Sequence, residues 1–378
     1  MTATERWAWA EVDLAAVRHN VRWLRAVAAP AEVWAVVKAN GYGHGAVPVA
    51  RAALDAGAAG LCVALVREGI ELRDAGIDAP LLVLSEPPPA SMPEVVSYGL
   101  RTMLYTPDGI DAAAAAAEAG GAEIAVHLKL DTGMHRVGAH PDDAVTLAKQ
   151  VQAHPALRLE GVATHLAVAD EPDEPATAEQ LEVFDAALAE LARHGIDVPL
   201  VHAANSAGAI AHPPARYSLV RTGISVYGLA PAPGMAAMTT ELRPAMALKA
   251  RVSHVRTIAA GERISYGWRP RFDRTTVVAT VPLGYADGVP RRLFGTGGEV
   301  LVNGRRCPIV GVVTMDQLMV DCGPDASVQV GDQVVLLGRQ ADDVITADDW
   351  AARLGTISYE IVCGIGARVP RRHLDPPA

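Results

Sequence analysis

Over the first two-thirds of the chain, short runs of consecutive apolar residues alternate with longer stretches whose apolar positions recur at three and four. The short runs are VWAVVK (33–38), LCVAL (61–65), LLVLS (81–85), LRTMLY (100–105), IAVHLKLD (124–131), LEGVATHLA (159–167), LVHAANS (200–206) and LVRTGI (219–224). Continuous apolar character predicts strands buried on both faces. The stretches between them, such as AVPVARAALDAG and EQLEVFDAALAELARHG, have helical spacing, and Gly57, Gly76 and Gly195 stand where helices would be capped at their C-termini. Eight strands alternating with helices predict an α/β architecture, a (β/α)8 barrel over residues 12–235. An open doubly wound sheet is the competing arrangement.

The pattern changes after Gly228. LAPAPGM forms a Pro-rich junction, and beyond it ALKARVSHVRTI, TTVVATVPLG, EVLVNGRRCPIVGVV and QVVLLG alternate between polar and apolar positions, with turn residues between them. This predicts a second, mainly antiparallel β domain over 236–378. Asn303-Gly304 marks a two-residue hairpin. One helix is expected inside that domain, from a Thr346 cap to Leu354, stopped by Gly355.

The 378 residues leave room for two ordinary domains, and half of them are hydrophobic, enough for extensive cores. The net charge of −10, with no Lys/Arg-rich run, argues against sequence-independent binding to nucleic acid. Cys62, Cys307, Cys322 and Cys363 form no CxxC pair and have no histidines at zinc spacing, so neither a disulfide framework nor a structural zinc is expected. The N-terminal residues carry acids early and lack a signal-like apolar stretch, and the alanine run 112–117 is too short to span a bilayer. A cytoplasmic setting is the expectation.

Lys38, in AVVKANGYGHG, is the first candidate for chemistry. It falls at the expected C-terminal end of the first barrel strand, where reacting groups of barrels sit, and it opens a glycine-rich loop. An apolar strand would partly desolvate its amine and favour the nucleophilic form. A plain surface lysine is the alternative. Ser206 and the pair Gly223-Ile224 end the seventh and eighth strands, where barrels often bind phosphate through backbone N–H groups and a hydroxyl. The alternative is that Asn205 and Ser206 merely cap the following turn, which is the better reading of either residue taken alone. An amine on strand one facing a phosphate site on strands seven and eight suggests pyridoxal phosphate.

With these residues in view, the chain resembles bacterial alanine racemase. AVVKANGYGHG, LKLDTGMHRVG, THLAVADE, RTGISVYGL, SYG, VPLGYADGVPR, TMDQLMVD and SYEIVC…RVPR occur in the family's order and cover nearly the whole chain. The resemblance implies a barrel followed by a β domain that is joined by the N-terminal strand, residues 1–11. It implies that Lys38 carries pyridoxal 5'-phosphate and is one of two acid/base groups, with Tyr266 as the second. His165 stands beside that tyrosine. Tyr42, Ser206, Gly223, Ile224 and Tyr359 match phosphate-binding positions, and Arg221 matches the arginine facing the pyridine nitrogen. A guanidinium keeps its proton, so the ring would be a weaker electron sink.

Arg136 and Met315 match positions near the substrate carboxylate, and Asp316 and Tyr285 match the wall of the site. Asp170, Asp287 and Arg291 match an access channel. Lys129 aligns with a lysine carbamylated in some members. The family is a homodimer in which Tyr266, Met315 and Asp316 reach the site from the partner subunit. From the residues alone, Arg221 is equally a structural ion-pair partner, Tyr266 a half-buried strand aromatic, His165 a core histidine, Arg136 a solvated surface group and Met315 a core residue.

The expected activity is interconversion of L- and D-alanine, with D-alanine supplied for peptidoglycan. Racemisation removes a proton from one face of Cα and returns one to the other, which two fixed bases do without turning the substrate. Ionising a tyrosine near neutrality means lowering its pKa by ~2–3 pH units, roughly 3–4 kcal/mol, and a cationic surrounding would supply that. A serine or broad-specificity racemase is the nearest alternative, since selecting a methyl side chain over a similar one is worth only ~1–3 kcal/mol. A pyridoxal-phosphate decarboxylase would need an acidic cluster for a basic substrate, which is not evident, and a noncatalytic cofactor-binding barrel would not need the β domain. Thr314 replaces a common cysteine, Val312 a channel arginine and Thr222 a common proline.

Overall fold

The computed structural model describes residues 6–268 and 271–375. Residues 1–5 of the anticipated N-terminal strand, and 269, 270 and 376–378 of the anticipated β domain, lie outside them. The chain divides into two compact units, one running from Ala15 to Pro244, the other combining residues up to Leu14 with those from Ala245 onward. The strands in chain order begin with β1 (Ala8–Asp13), which belongs to the second unit. The first unit then holds β2 (Glu32–Val36), β3 (Gly60–Val63), β4 (Leu81–Val83), β5 (Arg101–Leu104), β6 (Ile124–Lys129), β7 (Leu157–Ala163), β8 (Leu200–His202) and β9 (Leu219–Thr222).

These eight strands are parallel, in the order β8-β7-β6-β5-β4-β3-β2-β9. The ring closes between β8 and β9 through single hydrogen bonds, Ser218 N to Val201 O at 3.0 Å and Arg221 N to Ala204 O at 3.0 Å. The unit is therefore a barrel, not an open doubly wound sheet. β3, β4 and β6 are buried at every residue, as their unbroken apolar runs require. Each strand stops before its apolar run ends, because the chain turns out of the sheet at the C-terminal mouth. The helices Ala46–Asp55, Val66–Asp74 and Ala176–Arg193 pass into Gly57, Gly76 and Gly195, all at positive φ.

The barrel interior is not uniformly apolar. Trp34 lies inside it, and a Cβ on Gly60 would come within 2.6 Å of the indole. His127 and His202 are wholly buried. A Cβ on Gly161 would collide with the His127 ring, so glycine there makes room for an imidazole.

The second unit contains β10 (Met246–Arg251), β11 (His254–Ile258), β12 (Thr276–Val281), β13 (Glu299–Val302), β14 (Arg305–Val310), β15 (Leu318–Gly323), β16 (Gln333–Gln340), β17 (Asp343–Ile345) and β18 (Arg371–Leu374). Together with β1 they form one sheet, ordered β11-β12-β15-β14-β13-β16-β10-β1-β18, with β17 on β16. All pairings are antiparallel except β1 with β18. Asn303 and Gly304 join β13 to β14 with φ of 50° and 75°, the type I′ geometry that suits strand twist. The helix Ala347–Leu354 is capped by Thr346, whose hydroxyl accepts from Asp349 N at 3.0 Å while the Asp349 carboxylate accepts from Thr346 N at 2.7 Å.

Candidate active site

The Lys38 loop leaves the barrel in an unusual conformation. β2 ends at Val36, so Lys38 stands just beyond the strand rather than on its last residue as the sequence suggested. Ala39, Asn40, Gly41, Tyr42 and Gly43 all have positive φ, between 50° and 82°. They make a left-handed turn closed by Gly41 N to Val37 O at 2.9 Å and Gly43 N to Ala39 O at 3.0 Å. A non-glycine residue in this region costs roughly 1–2 kcal/mol. Neighbouring groups hold the turn in place: Glu68 accepts from Ala39 N at 2.7 Å, and Asn40 Oδ1 accepts from Ala46 N at 2.9 Å. Glu68 also accepts from Ala64 N and Leu65 N, which ties the turn after β2 to the turn after β3. Strain supported from several sides is a mark of functional loops.

Tyr42 faces the end of β9. A Cβ on Gly223 would lie 2.5 Å from the Tyr42 hydroxyl, so only glycine allows this approach. Ser206 Oγ accepts from Gly223 N at 2.8 Å and from Ser225 N at 3.5 Å. Ile224 opens a short 3-10 helix, Ile224–Tyr227. The Tyr42 and Ser206 hydroxyls therefore converge after the seventh and eighth barrel strands with the backbone N–H groups of Gly223 and Ser225, which are turned onto Ser206 Oγ. This donor set fits a phosphate dianion, which hydroxyl and backbone donors satisfy well.

Arg221, in β9, is buried and extensively bonded. Its Nη1 donates to His202 Nδ1 at 2.7 Å. Its Nη2 donates to Thr164 O at 2.9 Å, Ala203 O at 3.0 Å and His165 Nδ1 at 3.3 Å. Among the described residues its Nε–H donates to no group, and no carboxylate pairs with it. Burial lowers its pKa to about 10, still above neutrality, so the guanidinium keeps its charge. His165 is held to about 3 by burial and then by the charges of Arg221, Lys129, Arg136 and Lys38, so its ring is neutral. Lys129 is 6% exposed and pushed down to about 8, first by burial and then by Arg221 and Arg136. Arg136 is exposed. These mutual influences place Lys38, Lys129, Arg136, His165 and Arg221 around one basic region of the barrel.

The other candidates belong to the second unit. Tyr266 lies in a 3-10 turn and is 74% exposed, so it is not the half-buried strand aromatic that its sequence context would suggest. Ser265 Oγ accepts from Val312 N at 2.9 Å, which ties the tyrosine turn to the loop carrying Met315. Met315 is 52% exposed and is not a core residue. Tyr285 N and Ala286 N donate to Thr314 O and Met315 O at 2.9 and 3.0 Å, so Tyr285 and Met315 share one surface. Asp316 accepts from Arg368 Nη2 at 2.7 Å. Tyr359 lies half-buried on the helix Ser358–Cys363. Asp287 does not behave as a channel charge. It is wholly buried, accepts from Gly284 N at 3.1 Å and pairs with Arg6 at 2.7 Å, which makes it a structural anchor. Asp170 and Arg291 are exposed.

The sequence reading missed three interior polar groups of the barrel: His127, Glu160 and His202. The available signal was a histidine or carboxylate inside an otherwise apolar strand run. It could not be used without the register, which a bulge between Val126 and His127 alters.

No helix among the described residues is long and apolar enough to cross a membrane. The family models for the alanine racemase N-terminal and C-terminal domains match residues 12–231 and 245–373. The chain is 52% identical to alanine racemase of Symbiobacterium thermophilum, over 96% of both chains, and 45% identical to that of Thermobifida fusca over 96% of both. Among solved structures it is similar to alanine racemase from D-cycloserine-producing Streptomyces lavendulae, with a TM-score of 0.93, 41% identity and 99% of each chain covered. It is also similar to the Bacillus anthracis enzyme with bound L-Ala-P, with a TM-score of 0.93, 39% identity and coverage of 99% and 97%. A barrel with its basic region at the C-terminal mouth, followed by a sheet unit bearing an exposed tyrosine, is thus the frame of an isomerase, and the chain belongs to the alanine racemase family.

Proposed function

We propose that this protein racemises alanine with pyridoxal 5'-phosphate, using Lys38 and Tyr266 as bases on opposite faces of the substrate carbon. The observation that carries the reading is the barrel cluster: an amine on a supported left-handed turn, a hydroxyl-and-amide cradle at Tyr42, Ser206 and Gly223, and a buried arginine whose Nε–H is uncommitted. Tyr42, Ser206, Gly223, Ile224 and Tyr359 would hold the phosphate, and Lys38 would be the attachment point. Pyridoxal phosphate, when bound, supplies a conjugated ring that withdraws the electron pair left on the α-carbon.

The protein's residues do the rest. Arg221 presents N–H to the ring nitrogen without surrendering a proton, which limits charge build-up and side reactions. The Lys38 amine moves a proton on one face of the α-carbon. The Tyr266 phenol moves one on the other, steadied by neutral His165, which accepts from the cationic Arg221. Arg136 holds the substrate carboxylate by a planar, permanently charged fork, Asp316 and Tyr285 line the wall, and Tyr266, Tyr359 and Met315 form the small pocket that favours a methyl side chain. In this reading the active form is a homodimer with composite sites, to which Tyr266, Met315 and Asp316 come from the partner. Its product is D-alanine for peptidoglycan, made in the cytoplasm.

The test uses purified protein with added cofactor. It should turn yellow, and borohydride should fix the cofactor on Lys38. Incubation with a panel of L-amino acids in deuterated water, followed by chiral analysis, should give deuterated D-alanine in large excess over other products. A colourless protein, or amine products without D-amino acid, overturns the reading.

A further inference from the structure

A line of hydrogen bonds crosses the barrel interior and ends on Arg221. Arg101, the first residue of β5, places Nε 2.6 Å from Glu160 Oε2. Arg158, near the start of β7, puts Nη1 and Nη2 3.3 Å from Glu160 Oε1. The same Glu160 Oε2 is 3.0 Å from His127 Nε2. His127 Nδ1 is 2.8 Å from His202 Nε2, and His202 Nδ1 is 2.7 Å from Arg221 Nη1. Both imidazoles are wholly buried, and the missing side chain at Gly161 leaves space for the His127 ring. Arg101 and Arg158 lie at the strand beginnings, whereas His165 and the Lys38 turn follow strand ends. The line therefore joins opposite ends of the barrel.

Its proton arrangement has a single solution. A guanidinium only donates, so His202 Nδ1 must accept and its hydrogen must sit on Nε2. That Nε2–H donates to His127 Nδ1, which places the His127 hydrogen on its own Nε2. That hydrogen donates to Glu160, which as a carboxylate only accepts. Both ends thus force the same pair of neutral tautomers. Burial lowers the pKa of both histidines, consistent with neutral rings. Burial would raise Glu160, but the bond from His127 and the charge of Arg101 outweigh it and hold the carboxyl at about 2.

A buried guanidinium without a counter-charge is expensive. Among the described residues no carboxylate contacts Arg221, and the basic groups that influence its surroundings, Lys38, Lys129 and Arg136, add positive charge. We propose that Glu160 is the remote counter-ion and positioning residue of Arg221, acting through His127 and His202 in fixed Nε2–H tautomers, with Arg101 moderating its charge. This rests on the reading above that Arg221 faces the cofactor ring. The line makes Arg221 a weaker source of positive charge at the ring than an isolated guanidinium would be. A purely packing role would not require this directionality, since polar lines inside cores can often be replaced by apolar side chains at no cost.

The experiment compares wild type, Glu160→Gln and Arg101→Gln as holoenzymes, reading the pH midpoint of the visible cofactor band and steady-state kinetics. Glu160→Gln keeps an acceptor for His127 but removes the charge. It should lower the midpoint by about 0.5–1 pH unit and reduce kcat by about 3- to 30-fold with KM little changed. Arg101→Gln unmasks the Glu160 charge and should move the midpoint upward. Midpoints that stay put, or that move in the same direction in both variants, while the wild type is yellow and racemises alanine, overturn the proposal and leave the proposed function standing. If Glu160→Gln does not fold, Arg101→Gln alone decides by the sign of its shift. Ring-15N-histidine spectra of the wild type judge the line independently of any cofactor. Nε2–H on both His127 and His202 supports it, and Nδ1–H on either overturns it.

Discussion

The two units keep their chemistry in opposite states. In the barrel, apart from the exposed Arg136 and Asp170, the charged and imidazole groups near Arg221 are buried and perturbed: Arg221 and Lys129 are 5% and 6% exposed, and His165 is held neutral by burial and neighbouring charge. In the sheet unit the corresponding groups stand out from the surface, with Tyr266 at 74% and Met315 at 52% exposed. A buried cluster sets its own proton affinities and needs only a ligand. An exposed tyrosine has its ordinary surroundings until another surface covers it. This difference agrees with the proposed composite site, in which the barrel binds and tunes while the sheet unit supplies a second base to a neighbour.

The largest expected effect breaks the barrel side. Lys38→Ala should reduce racemisation by at least about 1,000-fold, because it removes the attachment point and one base together. Borohydride should then leave no cofactor on the chain, and labelling at another lysine would contradict the assignment. Next is Gly223→Val. Its new side chain would occupy the Tyr42 hydroxyl's position, so cofactor affinity should fall by about 10- to 100-fold, with the fold kept. A fluorescence titration with pyridoxal phosphate checks this, and unchanged affinity would remove the cradle from the account.

Acid stability sharpens the contrast further. His165 has its folded pKa depressed from 6.5 to about 3, so the unfolded state takes up the proton first as pH falls. Glu160 has its folded pKa depressed from 4.5 to about 2, with the same consequence lower down. His165 therefore costs nothing above about pH 6.5 and destabilises the fold as pH falls toward 3, while the stabilisation from Glu160 is present above about pH 4.5 and is lost toward pH 2; the two shifts together correspond to at most ~8 kcal/mol. Denaturant unfolding between pH 7 and 3 measures it, and a flat profile would contradict the buried environments. The smallest effect concerns Lys129. Its folded pKa of about 8 against 10.5 means the protonated amine is disfavoured in the fold at pH 7 and below, and the strain is relieved as pH rises through 8 to 10.5. Lys129→Met should therefore stabilise the protein at pH 7 by about 1–2 kcal/mol, whereas a loss of stability would mean the group is not a plain amine.

Much of the frame was legible in the sequence because it is written in local pattern. Eight apolar runs gave eight strands, Asn303-Gly304 gave the hairpin, and Thr346 with Gly355 bounded the helix between them. The left-handed turn over Ala39 to Gly43 was not legible. Two glycines hint at freedom, but Ala39, Asn40 and Tyr42 adopt positive φ because Glu68 and neighbouring backbone hold them there. The Glu160-His127-His202 line was hidden for a similar reason. Its members sit on three strands, and their common inward direction depends on register and on a bulge. Tyr266 was visible only through resemblance, since an SYGW segment looks like strand until its turn geometry is seen.

The two-base assignment has one direct test: Tyr266→Phe holoenzyme incubated with L-alanine in deuterated water. The variant should be yellow with normal cofactor content and should lose α-hydrogen exchange from L-alanine by about 100-fold or more. Exchange and D-alanine formation at near wild-type rates would contradict it.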